Sequence, residues 1–196
     1  MKCWQARSNV CGAAERKSAS ELAPYGGVPE SAEGVSWDCH RWDALARLRI
    51  FPMRIAVISD THDRFPPTLP ARLKGADEIW HLGDVCEPAV LIEFQALGRP
   101  LHVVAGNCDE HGEWPLELEL EREGVKFYLT HIPPHRGPAG FAAVLHGHTH
   151  VPRDEVVAGV RWLNPGCISR PRGVSPSFAW LTVADGKIVS WERVRV

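Results

Sequence analysis

The chain has 196 residues, 44% hydrophobic and 23% charged, with a formal charge of −2, which describes an ordinary globular protein of one domain or little more, large enough to bury a real core. This balance excludes the basic footprint of a protein that binds nucleic acid or an anionic membrane, and no run approaches the ~20 apolar residues of a membrane span. Cys3, Cys11, Cys39, Cys86, Cys108 and Cys167 have neither zinc-site spacing nor the density of a disulfide scaffold, and the N-terminus lacks a secretory layout; a cytoplasmic location is the expectation.

Residues 1–52 mix Ser, Ala, Gly, Pro and charges without sustained periodicity, apart from a short helical pattern at Trp42–Ile50. That composition predicts a mostly disordered arm. Met53-Arg-Ile-Ala-Val-Ile-Ser-Asp60 reads as a natural start feeding a buried strand, so the expectation is a domain over 53–196 with Met53 as initiator. A genuine extension is the alternative, and the intact mass of native-source protein decides between them.

From Met53 onward, short apolar runs end in polar residues. Ile55–Ser59 delivers Asp60-Thr-His62; Glu78–Leu82 delivers Gly83-Asp84; Leu101–Ala105 delivers Gly106-Asn107-Cys-Asp109; Val125–Thr130 delivers His131; Ala142–Leu145 leads to Gly147-His148-Thr-His150. Helical stretches are predicted at Thr68–Lys74 and at Pro88–Leu97, the latter opened by Pro88 and closed by Gly98. Alternation of strand and helix predicts parallel crossovers with function at the strand carboxyl ends.

The remainder reads as antiparallel. Leu116–Glu121 alternates strictly and turns through Arg122-Glu-Gly124, while Ala158-Gly159 and Asp185-Gly186 mark two further hairpins. Parallel units followed by hairpins predict a mixed α/β sandwich.

Singly, these motifs are weak: Asp38-Cys-His40 in the arm has the same spacing with no strand before it. Together, Asp60, His62, Asp84, Asn107, His131, His148 and His150 are oxygen or imidazole donors at five separate strand ends, the pattern of a metal cluster. Their order resembles the calcineurin-like metallophosphoesterases, in particular the small bacterial and archaeal phosphodiesterase branch, over Met53–Val196. The resemblance implies a four-layer α-β-β-α sandwich of two mixed sheets, the metallo-dependent phosphatase fold.

It also implies two divalent ions, Mn²⁺ foremost and Fe, Zn²⁺ or Ni²⁺ as alternatives. Asp60, His62 and His150 would hold one, Asn107, His131 and His148 the other, and Asp84 would bridge. Asp84, Asn107 and His148 would stand at the reacting centre, where a metal-bridging hydroxide attacks a small phosphodiester directly.

Two departures matter. Cys108 stands where the superfamily's phosphatases carry a leaving-group histidine, which predicts a preference for good leaving groups such as aryl phosphodiesters unless His111 compensates. The link Ile132–Phe141, with Pro133-Pro134 and Gly137-Pro138, is too broken for the helix that relatives often place there.

His81, Cys108 and Asp109 are expected beside the ligands, His146 reads as core packing, and Arg170 and Arg172 could steer phosphate or be plain surface charge. Asn164-Pro-Gly-Cys167 resembles the family's turn beside the site. A retromer-like scaffold with a degraded site is the alternative function, disfavoured because every expected ligand is present. Serine/threonine phosphatases and dinucleoside polyphosphate hydrolases are disfavoured because Gly83–Glu87 lacks Asp-Arg-Gly. Exposed apolar strands in the hairpin region are compatible with a homodimer.

Overall fold

The structure, a computed structural model, describes residues 51–110 and 114–196. The expected disorder and helix before Phe51, and His111, lie outside them.

Two five-stranded sheets face each other. The first has the order β10 (Lys187–Arg195), β9 (Ser177–Ala184), β1 (Met53–Ile58), β2 (Glu78–His81), β3 (Leu101–Val103), and the second β4 (Glu117–Arg122), β5 (Val125–Thr130), β6 (Ala143–Leu145), β8 (Val160–Asn164), β7 (Arg153–Val157). β1 is central, which is why Ile55–Ile58 is apolar on both faces and fully buried. It pairs parallel with β2, as β2 does with β3.

All three expected hairpins form, each with a two-residue loop at positive φ: Glu123-Gly124, Ala158-Gly159 and Asp185-Gly186. Those values match type I′ geometry, which follows the strand twist. The second sheet is less antiparallel than its turns suggest, because β5, β6 and β8 pair in parallel through β6.

The inner layer joins the sheets through Ile55, Val57, Trp80, Phe127, Leu129, Leu145 and Leu181; Trp80 meets Phe127 edge-on at 5.3 Å. The other face of the first sheet carries α1 (Leu69–Leu73) and α2 (Ile92–Gln95) through Leu69, Leu73 and Phe94. Both are shorter than expected. Pro88–Leu91 is a 3-10 turn rather than the first turn of one helix, with no side-chain cap, and Gly98 closes the segment at φ 66°.

The fourth layer is the broken link predicted from Pro133-Pro134 and Gly137-Pro138. No described residue of it is helical. It lies on the second sheet, with Phe141 against Tyr128 at 5.5 Å and Gly137 so close to Val160 that a Cβ would approach within 3.2 Å.

Candidate metal centre

The β ladders run past their strand ends and place the candidate residues. Asp60 N–H donates to Gly83 O at 3.0 Å, His62 N–H to Asp84 O at 2.9 Å and Gly147 N–H to His131 O at 3.1 Å. The chain then turns sharply, and Asp60, His62, Asp84, His148 and His150 all have φ between 41° and 66°. Left-handed backbone at non-glycine residues costs of order 1 kcal/mol each, and such strain concentrates at functional sites.

Glycine beside the candidate residues is a steric requirement. A Cβ on Gly106 would collide with the Asp84 carboxylate and backbone, and one on Gly147 with Ser59 Oγ. Gly83 faces Gly106 N and the His131 ring, both at 2.8 Å from its hypothetical Cβ. The Gly-Asp, Gly-Asn and Gly-His pairs therefore reflect three backbones packed around one cluster.

All seven predicted donors meet. His150 Nε2 lies 3.2 Å from Asp60 Oδ1 and 3.4 Å from His62 Nε2, which is 3.7 Å from Asp84 Oδ2. On the other side, His131 Nε2 lies 3.3 Å from Asp84 Oδ2 and 3.2 Å from Asn107 Oδ1, and His148 Nδ1 is 2.8 Å from the same Asn107 oxygen. Asp84 Oδ2 stands between the two groups, while its Oδ1 accepts from Cys108 N–H at 2.9 Å.

The proton positions make this arrangement informative. His131 Nδ1–H donates to Leu82 O at 2.7 Å and His150 Nδ1–H to Arg170 O at 2.6 Å. A carbonyl can only accept, so each neutral ring turns a bare Nε2 lone pair toward the cluster. His150 then sets a lone pair against Asp60 Oδ1, a fully buried oxygen with no hydrogen-bond partner. A lone pair facing a carboxylate oxygen across 3.2 Å is repelled unless a proton or a cation lies between them. The donor set therefore fits divalent cations that take nitrogen and oxygen.

Charge states follow the same geometry. Burial pushes the Asp60 carboxyl up, against the Ser59 hydroxyl that donates to Oδ2 at 2.6 Å. Asp84 is also desolvated, but contact with His131 and the Cys108 N–H outweigh that and hold it well below the usual carboxylate range. For His131, burial is outweighed by Asp84, which raises it, whereas His62 is lowered, chiefly by burial.

Several neighbours act by position. His81 is fully buried, takes Gly83 N–H on Nδ1 at 3.2 Å and donates from Nε2 to Thr61 Oγ1 at 3.1 Å; burial pulls its pKa down to about 3, so it is a neutral brace. The Asp109 carboxylate accepts backbone N–H groups from Asp84 at 2.9 Å, Gly106 at 2.7 Å and Cys86 at 2.6 Å. Asn164 donates to Gly147 O at 2.9 Å and Thr149 Oγ1 at 3.2 Å, fixing the turn between His148 and His150. Arg170 contributes its carbonyl to His150, while its side chain, like that of Arg172, is exposed.

Ser59, Thr61 and Cys86 were not singled out from sequence; adjacency to Asp60 and Asp84 is the one signal that could have marked them. Asp60, His62 and His150 form a buried half, whereas Asn107 and His148 are exposed. Beside the exposed half lies a hollow of about 240 Å³ lined by Leu116, Ile132, Thr130 and Glu117.

The calcineurin-like phosphoesterase superfamily domain matches residues 53–186. A probable metallophosphoesterase of Bacillus subtilis is 31% identical over 149 residues, 68% of this chain and 86% of that protein. A phosphodiesterase of Methanocaldococcus jannaschii is 28% identical over 139 residues, 58% of this chain and 83% of its own length. Among solved structures, the zinc complex of Vps29 from Entamoeba histolytica covers 73% of this chain and 99% of its own, with 25% identity and a TM-score of 0.57.

Proposed function

The chain belongs to the calcineurin-like phosphoesterase superfamily, and on that premise we propose that it hydrolyses a small phosphodiester at a centre of two divalent cations, Mn²⁺ foremost. In this reading Asp60, His62 and His150 hold one ion, Asn107, His131 and His148 the other, and Asp84 Oδ2 lies between them. The observation that carries it is the convergence of the unpartnered Asp60 Oδ1, the His150 lone pair, His62 Nε2 and Asp84 Oδ2, which follow one another at 3.2, 3.4 and 3.7 Å. Bound ions supply Lewis acidity, which acidifies water and neutralises phosphate.

The chain's own residues supply position. Cys108 N–H holds one oxygen of Asp84 so that only the other points inward, and the Leu82 and Arg170 carbonyls fix the ring faces of His131 and His150. Exposure of Asn107 and His148 supports substrate entry on that side. The adjoining hollow under Leu116 and Ile132 suits an apolar second ester group, which favours a diester over a monoester.

Burial raises the Cys108 thiol, so it offers little thiolate as a nucleophile. That supports direct hydrolysis by water and a preference for good leaving groups. A reducing, cytoplasmic setting is part of the reading, supported by free thiols at Cys86, Cys108 and Cys167; among the described residues no helix is long and apolar enough to cross a membrane.

The test is turnover of bis-p-nitrophenyl phosphate against p-nitrophenyl phosphate by metal-stripped protein resupplied with Mn²⁺. Metal-dependent cleavage that favours the diester supports the proposal. Two bound ions with no turnover under any metal favour a binding scaffold, the second reading, to which the likeness to Vps29 lends weight.

A further inference from the structure

We infer that Cys86, Cys108 and Nδ1 of His62 form a separate site for a soft divalent cation, Zn²⁺ or Cd²⁺ in chemistry, on the flank of the oxygen-and-nitrogen centre. One donor atom from each residue lies within 4.8 Å of the others. Cys86 Sγ is 3.7 Å from His62 Nδ1.

The three residues follow β1, β2 and β3, and their backbones are already fixed. His62 N–H is tied to Asp84 O at 2.9 Å, Cys86 N–H to Asp109 Oδ1 at 2.6 Å and Cys108 N–H to Asp84 Oδ1 at 2.9 Å. Cys86 has φ 72°, a strained conformation that directs its side chain back toward His62.

The donors suit a four-coordinate ion. Zinc takes sulfur at about 2.3 Å and imidazole nitrogen at about 2.0 Å, so donors stand roughly 3.5 Å apart, a spacing this set reaches with small side-chain rotations. Both thiols are only half-buried, which leaves an approach from solvent and a fourth position for water. Asp63, Asp84 and Asp109 lie close enough to act electrostatically on Cys86 and add negative charge that favours a cation.

Sulfur distinguishes this site from its neighbour. Thiolates favour Zn²⁺ and softer ions, while the carboxylate, amide and imidazole donors of the adjacent centre also suit Mn²⁺. A neutral imidazole has one lone pair, so His62 cannot serve both sites and the two occupancies compete. The existence of the sulfur site is independent of the two-metal reading; only that competition rests on it.

The experiment titrates Cd²⁺ into the full chain and follows the ultraviolet thiolate-to-metal charge-transfer band. The expected result is one fewer thiolate-bound Cd²⁺ in Cys86→Ser/Cys108→Ser than in the wild type, with the band retained in His131→Ala, which impairs only the neighbouring centre. A measurement on the unaltered protein guards against misfolding: saturating Cd²⁺ should slow iodoacetamide alkylation of Cys86 and Cys108 about tenfold, as ~90% occupancy requires, read by peptide mass spectrometry. An unchanged band in the double serine variant, or alkylation of both thiols at the metal-free rate, overturns the inference.

Discussion

Replacing Asp109 with Asn tests how the centre is held, because the change removes charge while keeping shape. The carboxylate accepts three backbone N–H groups, from Asp84 and Gly106 on Oδ2 and from Cys86 on Oδ1. Asparagine has one acceptor oxygen. Its better orientation keeps that oxygen on Asp84 and Gly106 and turns an NH₂ toward the Cys86 N–H.

One charge-assisted bond, worth about 1.5–3 kcal/mol, is then lost and two others weaken by roughly 0.5–1 kcal/mol each, so the expected loss is about 2.5–5 kcal/mol. At ~2–4 °C per kcal/mol for a chain of this size, Tm should fall by roughly 5–20 °C. Urea unfolding followed by circular dichroism gives the free energy, and Mn²⁺ titration should show weaker binding because the bond bracing Asp84 N–H weakens and the turn loses its Cys86 tether. A loss below about 1 kcal/mol with unchanged Mn²⁺ affinity would refute the claim that Asp109 holds the Gly83–Cys86 turn.

Further outcomes are expected. Gly147→Ala places a Cβ against Ser59 Oγ and 3.0 Å from Asp60 Oδ2, so calorimetry should show about 1–3 kcal/mol of overpacking cost together with loss of metal binding at the buried half. Glu78 is desolvated, but His102, Arg122 and Trp80 outweigh that and take its pKa down to about 2 from 4.5. Its folded pKa lies below the unfolded one, so its contribution is present above pH 4.5 and lost as pH falls toward 2. That amounts to about 1–2 kcal/mol after allowance for solvent screening, and Glu78→Gln should flatten this part of the stability–pH curve. Cys108→His should reduce the dependence of diester turnover on leaving-group pKa; an unchanged dependence counts against the role assigned to that position.

What was legible in the sequence follows from what local patterns encode. Ile55–Ser59 and Val125–Thr130 are apolar runs that stop abruptly, and the residues after them meet in space because parallel strands align their ends. Glu123-Gly124, Ala158-Gly159 and Asp185-Gly186 specify their turns through φ, a local property.

Contacts set by tertiary packing were not legible. Ala143–Leu145 is too short to reveal its parallel pairing with β5 and β8. Pro88 and Gly98 bounded an expected helix, but only Leu91 and Phe94 of the Pro88–Gln95 segment are buried, too little apolar face to extend a helix. Asp109 looked like part of the Asn107 motif, and its role depends on N–H groups more than twenty residues away in Asp84 and Cys86. The Cys86 and Cys108 pairing is likewise a product of adjacent loops rather than of spacing.

The most direct test of the central claim is the number of Mn²⁺ ions bound per chain, measured by elemental analysis after equilibrium dialysis, in the wild type and in Asp84→Asn. Asparagine keeps an oxygen for Cys108 N–H but presents a neutral group where Oδ2 faces His62 and His131. The account predicts two ions in the wild type, fewer than two in the variant, and chelator-sensitive diester hydrolysis in the wild type alone. One ion in both proteins, or hydrolysis that survives both chelation and Asp84→Asn, would contradict it.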